Sequence, residues 1–231
     1  MLRVIVAGVG PGMGCSIAKI LRSRSYDVSI ISRSEFGEKL AGELGAHYKR
    51  CDLTNFAEVR ECIGELAGKM GGVDALVHCA GGFYSKEKLE QVTSDFLHKA
   101  IQNNVETLFN TVQAVFPFMK KNGGSIVAIT AAKNVYLNGN VAYAAAKGSV
   151  AYLVRKLAAE LAPNNIRVNS IAPGFISKDD CGTLPADRIL LRKDRYPSIS
   201  IAMAVDHLLS NPIITGQDIE VDGGVSTQVG I

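Results

Sequence analysis

Tyr143 and Lys147 are two residues whose types and spacing suit acid-base chemistry. They stand four residues apart in the segment Val141-Ala-Tyr143-Ala-Ala-Ala-Lys147, so a helix there places them on one face. A neutral phenol has a pKa of about 10, and a nearby ammonium ion stabilises the phenolate and brings that pKa toward the working range of an enzyme. Taken alone, the same spacing also describes an ordinary exposed pair on a helix.

A glycine-rich turn near the start of the chain predicts a phosphate-binding site. Directly after the first apolar run the sequence reads Gly8-Val-Gly10-Pro11-Gly12-Met13-Gly14. Glycine permits positive φ and lets a pyrophosphate approach main-chain N–H groups at a helix N-terminus, where the helix dipole favours an anion. The spacing G-x-x-x-G-x-G differs from the dinucleotide fingerprint G-x-G-x-x-G. A tight strand-to-helix turn without a ligand is the alternative interpretation.

The end of the second apolar run predicts which dinucleotide is bound. At this place an acidic residue would bind the ribose 2′-hydroxyl of NAD. The chain has Ser32 and Arg33 there instead. A hydroxyl donor and a planar cation suit a 2′-phosphate, so we expect NADP(H) rather than NAD(H). The alternative for Arg33 is a solvated arginine at the end of a strand.

Apolar runs of strand length alternate with segments of helical period along the whole chain. The predicted strands are 2–8, 27–33, 46–51, 73–79, 125–131, 166–171 and 218–221, and the predicted helices are 13–24, 34–44, 55–70, 93–121, 142–161 and 198–209. Most of the strands are continuously apolar, as expected for strands buried on both faces. The alternation predicts one domain, residues 1–231, with a doubly wound α/β Rossmann fold: a parallel sheet of about seven strands with helices on both faces. Ligands of such sheets bind beyond the carboxyl ends of the strands.

The composition predicts a globular chain without a nucleic-acid or membrane partner. The 231 residues are 47% hydrophobic and 20% charged, and the net charge of +3 is spread along the chain rather than collected in a basic patch. No run of about 18 apolar residues is present, and glycines interrupt the apolar start, so we expect neither a membrane span nor a signal peptide. The five cysteines lack Cys-x-x-Cys spacing and no set of three or four metal ligands converges, so we expect reduced thiols, no metal and a cytoplasmic protein.

The order of these motifs resembles that of the short-chain dehydrogenase/reductase family, and in particular its 3-oxoacyl-acyl-carrier-protein reductases. The resemblance covers essentially all 231 residues. It includes further motifs along the chain, namely Cys51-Asp52-Leu53, His78-Cys79-Ala80-Gly81, Asn104-Val-Glu-Thr, Arg167-Val-Asn169, Pro173-Gly174 and Thr215-Gly216-Gln217 with Asp222-Gly223-Gly224.

The resemblance implies reversible hydride transfer between the nicotinamide of NADP(H) and a ketone or secondary alcohol, such as a 3-oxoacyl thioester or a small polyol. It implies that Tyr143 exchanges the proton with the substrate oxygen, that Lys147 lowers the pKa of this tyrosine and holds the cofactor ribose, and that Asn104 helps to hold a relay water. It also implies a homo-oligomer, a dimer or tetramer. The cofactor contacts that it implies are Gly8, Gly10, Pro11, Gly12, Met13, Gly14, Ser32, Arg33, Cys51, Asp52, Leu53, Cys79, Ala80, Gly81, Ile129, Tyr143, Lys147, Pro173, Gly174 and Ile176.

One departure from the family pattern concerns its catalytic serine, which orients the substrate oxygen. Aligned by the strand, Ala131 takes the place of the serine, whereas counting back from Tyr143 gives Thr130. Neighbouring strand residues point to opposite faces, so Thr130 can supply the hydroxyl only if the strand end is bulged or shifted. Asn134 and Asn138 are alternative donors. Loss of one such donor costs roughly 10²–10³ in rate.

A second departure follows Pro173-Gly174, where many members place a threonine at the position of Lys178 and where Ser177 is an adjacent substitute. Together with Ala131, it supports a rival hypothesis: a catalytically impaired NADP-binding scaffold or redox-responsive regulator.

The next segment contains a cluster of basic residues, namely Arg188, Arg192, Lys193 and Arg195. Because Asp187 and Asp194 are interleaved with them, we interpret the cluster as a solvated helix face. Binding of an acyl carrier or a phosphorylated substrate is the alternative.

Overall fold

A computed structural model describes residues 1–82, 84–177 and 195–228 of the chain. The strands are β1 (Arg3–Ala7), β2 (Asp27–Ser32), β3 (His47–Arg50), β4 (Ala75–His78), β5 (Gly124–Ile129), β6 (Ile166–Pro173) and β7 (Asp218–Val221). The α-helices are α1 (Met13–Ser23), α2 (Glu35–Leu44), α3 (Phe56–Met70), α4 (Ser94–Ile101), α5 (Thr107–Met119), α6 (Lys133–Asn138), α7 (Val141–Leu161) and α8 (Ser198–Ser210).

The strands form one parallel sheet in the order β3-β2-β1-β4-β5-β6-β7. The order reverses direction at β1, whose neighbours are β2 and β4, and this is the point at which an open α/β sheet binds its ligands. Each predicted strand is found within two residues of its predicted bounds. The predicted doubly wound α/β fold is therefore confirmed.

The core consists of two layers, one on each face of the sheet, because successive side chains of a strand point to opposite faces. In β1, Ile5 joins the layer formed with α3, α5 and α7, whereas Val4 and Val6 join the layer formed with α1 and α8. Both layers are predominantly apolar, which explains the largely apolar strands, and a few polar strand side chains such as Ser29, His78 and Ser125 are buried with them.

The predicted helix 93–121 is wrong as a single α-helix. Helix α4 begins after the N-cap Thr93, whose side chain accepts a hydrogen bond from the N–H of Phe96. A π-helical segment, Gln102–Glu106, then separates α4 from α5, and the N–H of Thr107 bonds to the carbonyl of Gln102, five residues back. Helix α6 was not predicted, because its six residues are too few to show a helical period.

Cysteine chemistry differs in part from the expectation. Cys51, Cys62 and Cys79 are free thiols, but Cys15 is disulfide-bonded, so the expectation of reduced cysteines is wrong for Cys15. Spacing along the chain could not reveal this bond, because a disulfide depends on proximity in the fold.

The predicted features at Lys178, Cys181, Arg188, Arg192 and Lys193 lie outside the described residues. Within the described ranges, no helix combines the length and apolarity needed to cross a bilayer.

Candidate active site

Two adjoining cavities open at the carboxyl edge of the sheet and together form one groove. The first, of about 340 Å³, lies over β1, β2 and the start of α3. The second, of about 560 Å³, lies beside α7 and the end of β6. Cys79 and Gly81, directly after β4, line both cavities. The groove therefore crosses the point at which the strand order reverses, where the sequence predicted a ligand.

The glycine turn forms the floor between β1 and α1. Gly8 has a φ of 84°, and its N–H donates to the carbonyl of Ile31 at 2.8 Å. A β-carbon at Gly8 would overlap the backbone of Ala80. Gly12 has a φ of 86° and is the N-cap of α1. Positive φ and close backbone approach are the two conditions that favour glycine, so both glycines are required by the turn itself.

Arg33, Ser34 and Asp52 line the far end of the first cavity. The Arg33 guanidinium is exposed, and its Nη1 lies 3.9 Å from Asp52 Oδ1. The N–H of Thr54 donates to the same carboxylate at 3.1 Å and is the main cause that holds the pKa of Asp52 below its ordinary value. The Ser32 hydroxyl, in contrast, is buried and donates to the Val9 carbonyl at 2.8 Å. Arg33 and Ser34 therefore offer polar groups to a ligand here more readily than Ser32 does.

Helix α7 brings Tyr143 to the second cavity through a specific N-cap. The Asn140 side chain accepts a hydrogen bond from the N–H of Tyr143 at 2.9 Å. The amide of Asn140 in turn donates to the Ser85 hydroxyl at 2.6 Å, and its backbone N–H donates to the Ser85 carbonyl at 2.9 Å. The position of the tyrosine is thus fixed to the loop that follows β4.

Lys147 and Asn104 meet at Gly81, where the two cavities join. Lys147 is buried, and its Nζ donates to the Ile129 carbonyl at 2.9 Å. The Asn104 amide donates to the carbonyls of Ala100 and Gly82, and its Oδ1 accepts from the Gly82 N–H at 3.3 Å. A β-carbon at Gly81 would lie 2.6 Å from Asn104 Oδ1 and 3.0 Å from Lys147 Nζ. The Lys147 ammonium and the Asn104 amide oxygen therefore both lie close to Gly81.

The pKa values of Tyr143 and Lys147 differ from those expected from their four-residue spacing. Burial raises the pKa of Tyr143 to about 12, with a further contribution from the phenol of Tyr84. Burial also lowers the pKa of Lys147 to about 8. The ammonium lies 6.0 Å from the centroid of the Tyr143 ring. The pKa of this tyrosine is therefore raised rather than lowered, because loss of hydration disfavours the phenolate, and the expected effect of Lys147 on it stays a prediction.

The hydroxyl of Thr130, the alternative to the family serine, is hydrogen-bonded within the sheet. Its Oγ1 lies 2.6 Å from Asp218 Oδ1 and 3.0 Å from the Ile171 carbonyl. The ladder continues regularly, with the N–H of Thr130 bonded to Ile171 and that of Ala132 bonded to Pro173, so the strand end has no bulge. The hydroxyl proton of Thr130 thus already serves an acceptor, although Thr130 lines the second cavity, and its role as the substitute for the family serine stays a prediction. Ala131 packs against Tyr143 at the serine position.

The other predicted site residues are distributed as follows. The predicted cofactor residues in the first cavity are Gly8, Gly10, Ser32, Arg33, Cys51, Asp52, Leu53, Cys79, Ala80 and Gly81. Those in the second are Pro11, Gly12, Met13, Cys79, Gly81, Ile129, Tyr143, Lys147, Pro173, Gly174 and Ile176. Gly14 lines neither cavity. A β-carbon at Gly14 would lie 3.0 Å from the Val9 Cα, so this glycine instead allows α1 to pack closely on the turn.

Several lining residues were not predicted, because nothing in their local sequence marks them. They are Val9, Ser34, Thr54, Asn103 and Thr107 in the first cavity, and Gly82, Tyr84, Lys86, Val135 and Phe175 in the second. Four further residues that the sequence singled out also line the second cavity, namely Thr130, Ala131, Ser177 and Arg195. The alternative donors Asn134 and Asn138 are not among the residues that line the second cavity.

Comparisons with known proteins agree with this geometry. Residues 8–226 match the family model described as enoyl-(acyl carrier protein) reductase. The chain is 33% identical over 236 residues to the 3-oxoacyl-[acyl-carrier-protein] reductase of Mus musculus, with 97% of this chain and 98% of that protein covered. A solved short-chain type dehydrogenase/reductase from Mycobacterium ulcerans superposes with a TM-score of 0.85 at 26% identity, covering 98% of this chain and 90% of that one. The structure described as ElxO with NADP bound gives a TM-score of 0.85 at 26% identity, covering 98% and 99% of the two chains. The chain therefore belongs to the short-chain dehydrogenase/reductase family, whose members are oxidoreductases that act on CH–OH groups.

Proposed function

We propose that this enzyme uses NADP(H) to interconvert a ketone and a secondary alcohol, with Tyr143 as the acid and base. The observation that supports this most is the arrangement at Gly81: Lys147 Nζ and Asn104 Oδ1 both approach it, and Tyr143 lines the same cavity. A buried cation, a phenol and a backbone cradle thus surround one place at which a nucleotide and a carbonyl can meet.

The groove fits a dinucleotide phosphate. Gly8 and Gly10 line the first cavity and Gly12 lines the second, so a diphosphate in the groove would lie against their backbone beside the N-terminus of α1. Arg33 and Ser34 would contact a 2′-phosphate, and Asp52 would contact the adenine edge. When bound, NADP(H) supplies or accepts the hydride. Support for NADP(H) over NAD(H) comes from the exposed guanidinium at this end of the cavity and from the NADP-bound structural neighbour.

In the reduction direction, Tyr143 would donate a proton to the carbonyl oxygen as the hydride reaches the carbonyl carbon. Its pKa of about 12 keeps the phenol protonated at neutral pH, which is the state that an acid needs. The buried Lys147 ammonium would stabilise the phenolate that remains after the proton has left.

Asn104 is proposed as a positioning residue. Its side chain holds the Gly82 backbone from both the N–H and the carbonyl side, and it stands in the π-helical segment. Such segments occur frequently at functional sites. Through Gly81 and Gly82, Asn104 would fix the wall against which the cofactor ribose and Lys147 lie.

The second cavity supports a carbonyl substrate with an anionic carrier. Tyr84, Val135 and Phe175 form an apolar wall near Tyr143, and two cationic side chains, Lys86 and Arg195, also line the cavity. A 3-oxoacyl thioester, whose carrier is anionic, matches both features better than a small polyol does. The reductase activity named for the mouse relative supports the same choice.

The rival function is an NADP-binding scaffold or redox-responsive regulator without efficient catalysis. Ala131 at the serine position and the commitment of the Thr130 hydroxyl to Asp218 favour it. Both functions predict NADPH affinity, but only an enzyme reduces a substrate. Turnover therefore separates the two.

The test is titration of the purified protein with NADPH and NADH, followed by NADPH consumption against a panel of ketones and 3-oxoacyl thioesters. We expect tighter binding of NADPH and substrate-dependent oxidation. Tyr143→Phe should abolish turnover and keep NADPH binding, whereas Tyr136→Phe, a neighbouring tyrosine outside the residues that line the cavity, should keep both. NADPH binding without any turnover would favour the scaffold, and no binding of either nucleotide would refute both.

We also propose a cytoplasmic homo-oligomer, a dimer or tetramer. Large apolar side chains stand exposed on helices that flank the sheet, including Phe109 and Phe118 of α5 and Tyr152 of α7. Burial of such side chains between copies would remove them from water. Sedimentation or light scattering of the purified protein tests this, and a monomer at micromolar concentration would contradict it.

A further inference from the structure

The described part of the second cavity lacks a hydroxyl at the usual place beside Tyr143. Ala131 occupies that place, and the Thr130 hydroxyl is bonded to Asp218 at 2.6 Å. A carbonyl oxygen that gains negative charge in the transition state is stabilised by preorganised hydrogen-bond donors, and the loss of one such donor costs roughly 10²–10³ in rate. Among the described residues, another element of the cavity wall offers a second donor.

Tyr84 stands on the wall next to Tyr143. The two ring centroids are 5.4 Å apart, with the rings perpendicular, and the Tyr84 ring also meets Phe175 edge to face at 5.9 Å. Perpendicular aromatic pairs at such distances attract each other. A β-carbon at Gly139 would lie 3.2 Å from both tyrosine rings, so this glycine lets the two rings approach each other. The Tyr84 ring is therefore held on three sides.

The Tyr84 hydroxyl is available to donate a hydrogen bond to a ligand. Its hydrogen bond to the Asn138 carbonyl measures 3.5 Å, which is long for a hydroxyl donor. The next residue, Ser85, is hydrogen-bonded to Asn140, the N-cap of α7, so this loop is tied to the start of that helix. Tyr84 and Tyr143 therefore belong to one connected frame, although 59 positions separate them in the sequence.

We propose that Tyr84 is the second hydroxyl of this active site and donates a hydrogen bond to the substrate carbonyl oxygen, in place of the missing serine. The inference rests on the proposed function. In reduction, the carbonyl carbon receives the hydride with its electron pair, the C=O double bond becomes a C–O single bond, and the oxygen takes the proton of Tyr143. Tyr84 keeps its own proton and stabilises the charge that develops on the oxygen.

The test compares Tyr84→Phe with the matched control Tyr136→Phe in the NADPH-loaded enzyme. Phenylalanine keeps the ring contacts with Tyr143 and Phe175 and removes only the hydroxyl. We expect kcat to fall by about 10²-fold, with KM and NADPH affinity nearly unchanged, and we expect the control to retain the wild-type kcat. A Tyr84→Phe variant that turns over at the wild-type rate would overturn the inference.

A second variant separates a lost donor from disturbed packing. Ala131→Ser adds a hydroxyl beside Tyr143, so in the Tyr84→Phe background it should restore kcat by roughly tenfold or more. A low kcat that this serine does not raise would overturn the inference, because the defect would then lie in the shape of the cavity. If the wild-type protein binds NADPH and reduces no member of the panel, the proposed function fails and this inference fails with it. An active enzyme that ignores the loss of the Tyr84 hydroxyl refutes the inference alone.

Discussion

Gly81→Ala is the substitution that most directly tests the junction of the two cavities. Gly81 has a φ of 153°, a conformation that side-chain-bearing residues rarely adopt. The added methyl group would lie 2.6 Å from Asn104 Oδ1 and 3.0 Å from Lys147 Nζ. Either the backbone keeps its conformation and both polar groups move, or the backbone changes and the wall of the groove moves with it.

The expected loss of stability follows from these contacts. Displacing Asn104 Oδ1 breaks its hydrogen bond with the Gly82 N–H, which is worth about 1 kcal/mol. Holding alanine in the strained conformation costs about 1–3 kcal/mol. The sum, about 2–4 kcal/mol, corresponds to a decrease of roughly 4–16 °C in Tm for a chain of this size. Because Lys147 is displaced as well, NADPH affinity should fall.

The assay is thermal unfolding combined with NADPH titration, and the adjacent residue provides the control. A β-carbon at Gly82 meets no atom within 4 Å, and Gly82 is not among the residues with positive φ. Gly82→Ala should therefore leave Tm close to wild type. Equal Tm and equal affinity for the two variants would refute the reasoning, because Gly81 would then carry no special constraint.

Three further predictions concern the cofactor, the N-cap of α7 and pH. Arg33→Ala should weaken NADPH binding more than NADH binding in parallel titrations, because its exposed guanidinium lines the first cavity; equal weakening would contradict its role as the 2′-phosphate ligand. Asn140→Ala should lower the free energy of unfolding by about 1 kcal/mol and also lower kcat, because the lost cap orients Tyr143. The control Asn55→Ala removes the cap of α3 and should reduce stability without changing kcat. NADPH affinity should weaken as pH rises past about 8, because burial lowers the pKa of Lys147 to about 8 and the ammonium loses its charge above that pH; constant affinity on both sides of pH 8 would contradict a role for this charge.

Much of the fold was predictable, because burial on both faces of a parallel sheet leaves a clear mark in the sequence. The last strand, Asp218–Val221, has the predicted bounds. The residues of the groove were also largely predictable, because a ligand of such a sheet meets the residues that directly follow the strands. Cys79 after β4 and Asp52 after β3 are examples, and both line the cavities.

The features that the sequence did not reveal depend on tertiary proximity. Tyr84 meets Tyr143 only because the loop after β4 is bonded to the N-cap of α7. The high pKa of Tyr143 comes from burial, which a four-residue spacing does not report. The choice between Thr130 and Ala131 required the orientation of a strand end and the presence of Asp218 on a strand far along the chain.

The π-helical segment Gln102–Glu106 has a consequence for how the chain tolerates mutation. Before it, Ala100 of α4 packs against Ala142 and Ala146 of α7, the helix that carries Tyr143. After it, α5 packs on α3 within the main apolar layer. Substitutions in α5 should therefore act on the stability of the whole domain, whereas substitutions in α4 should act mainly on the alignment of the tyrosine. Residues 93–121 resemble one helix in sequence, yet selection would act on catalytic alignment in the α4 half and on folding in the α5 half.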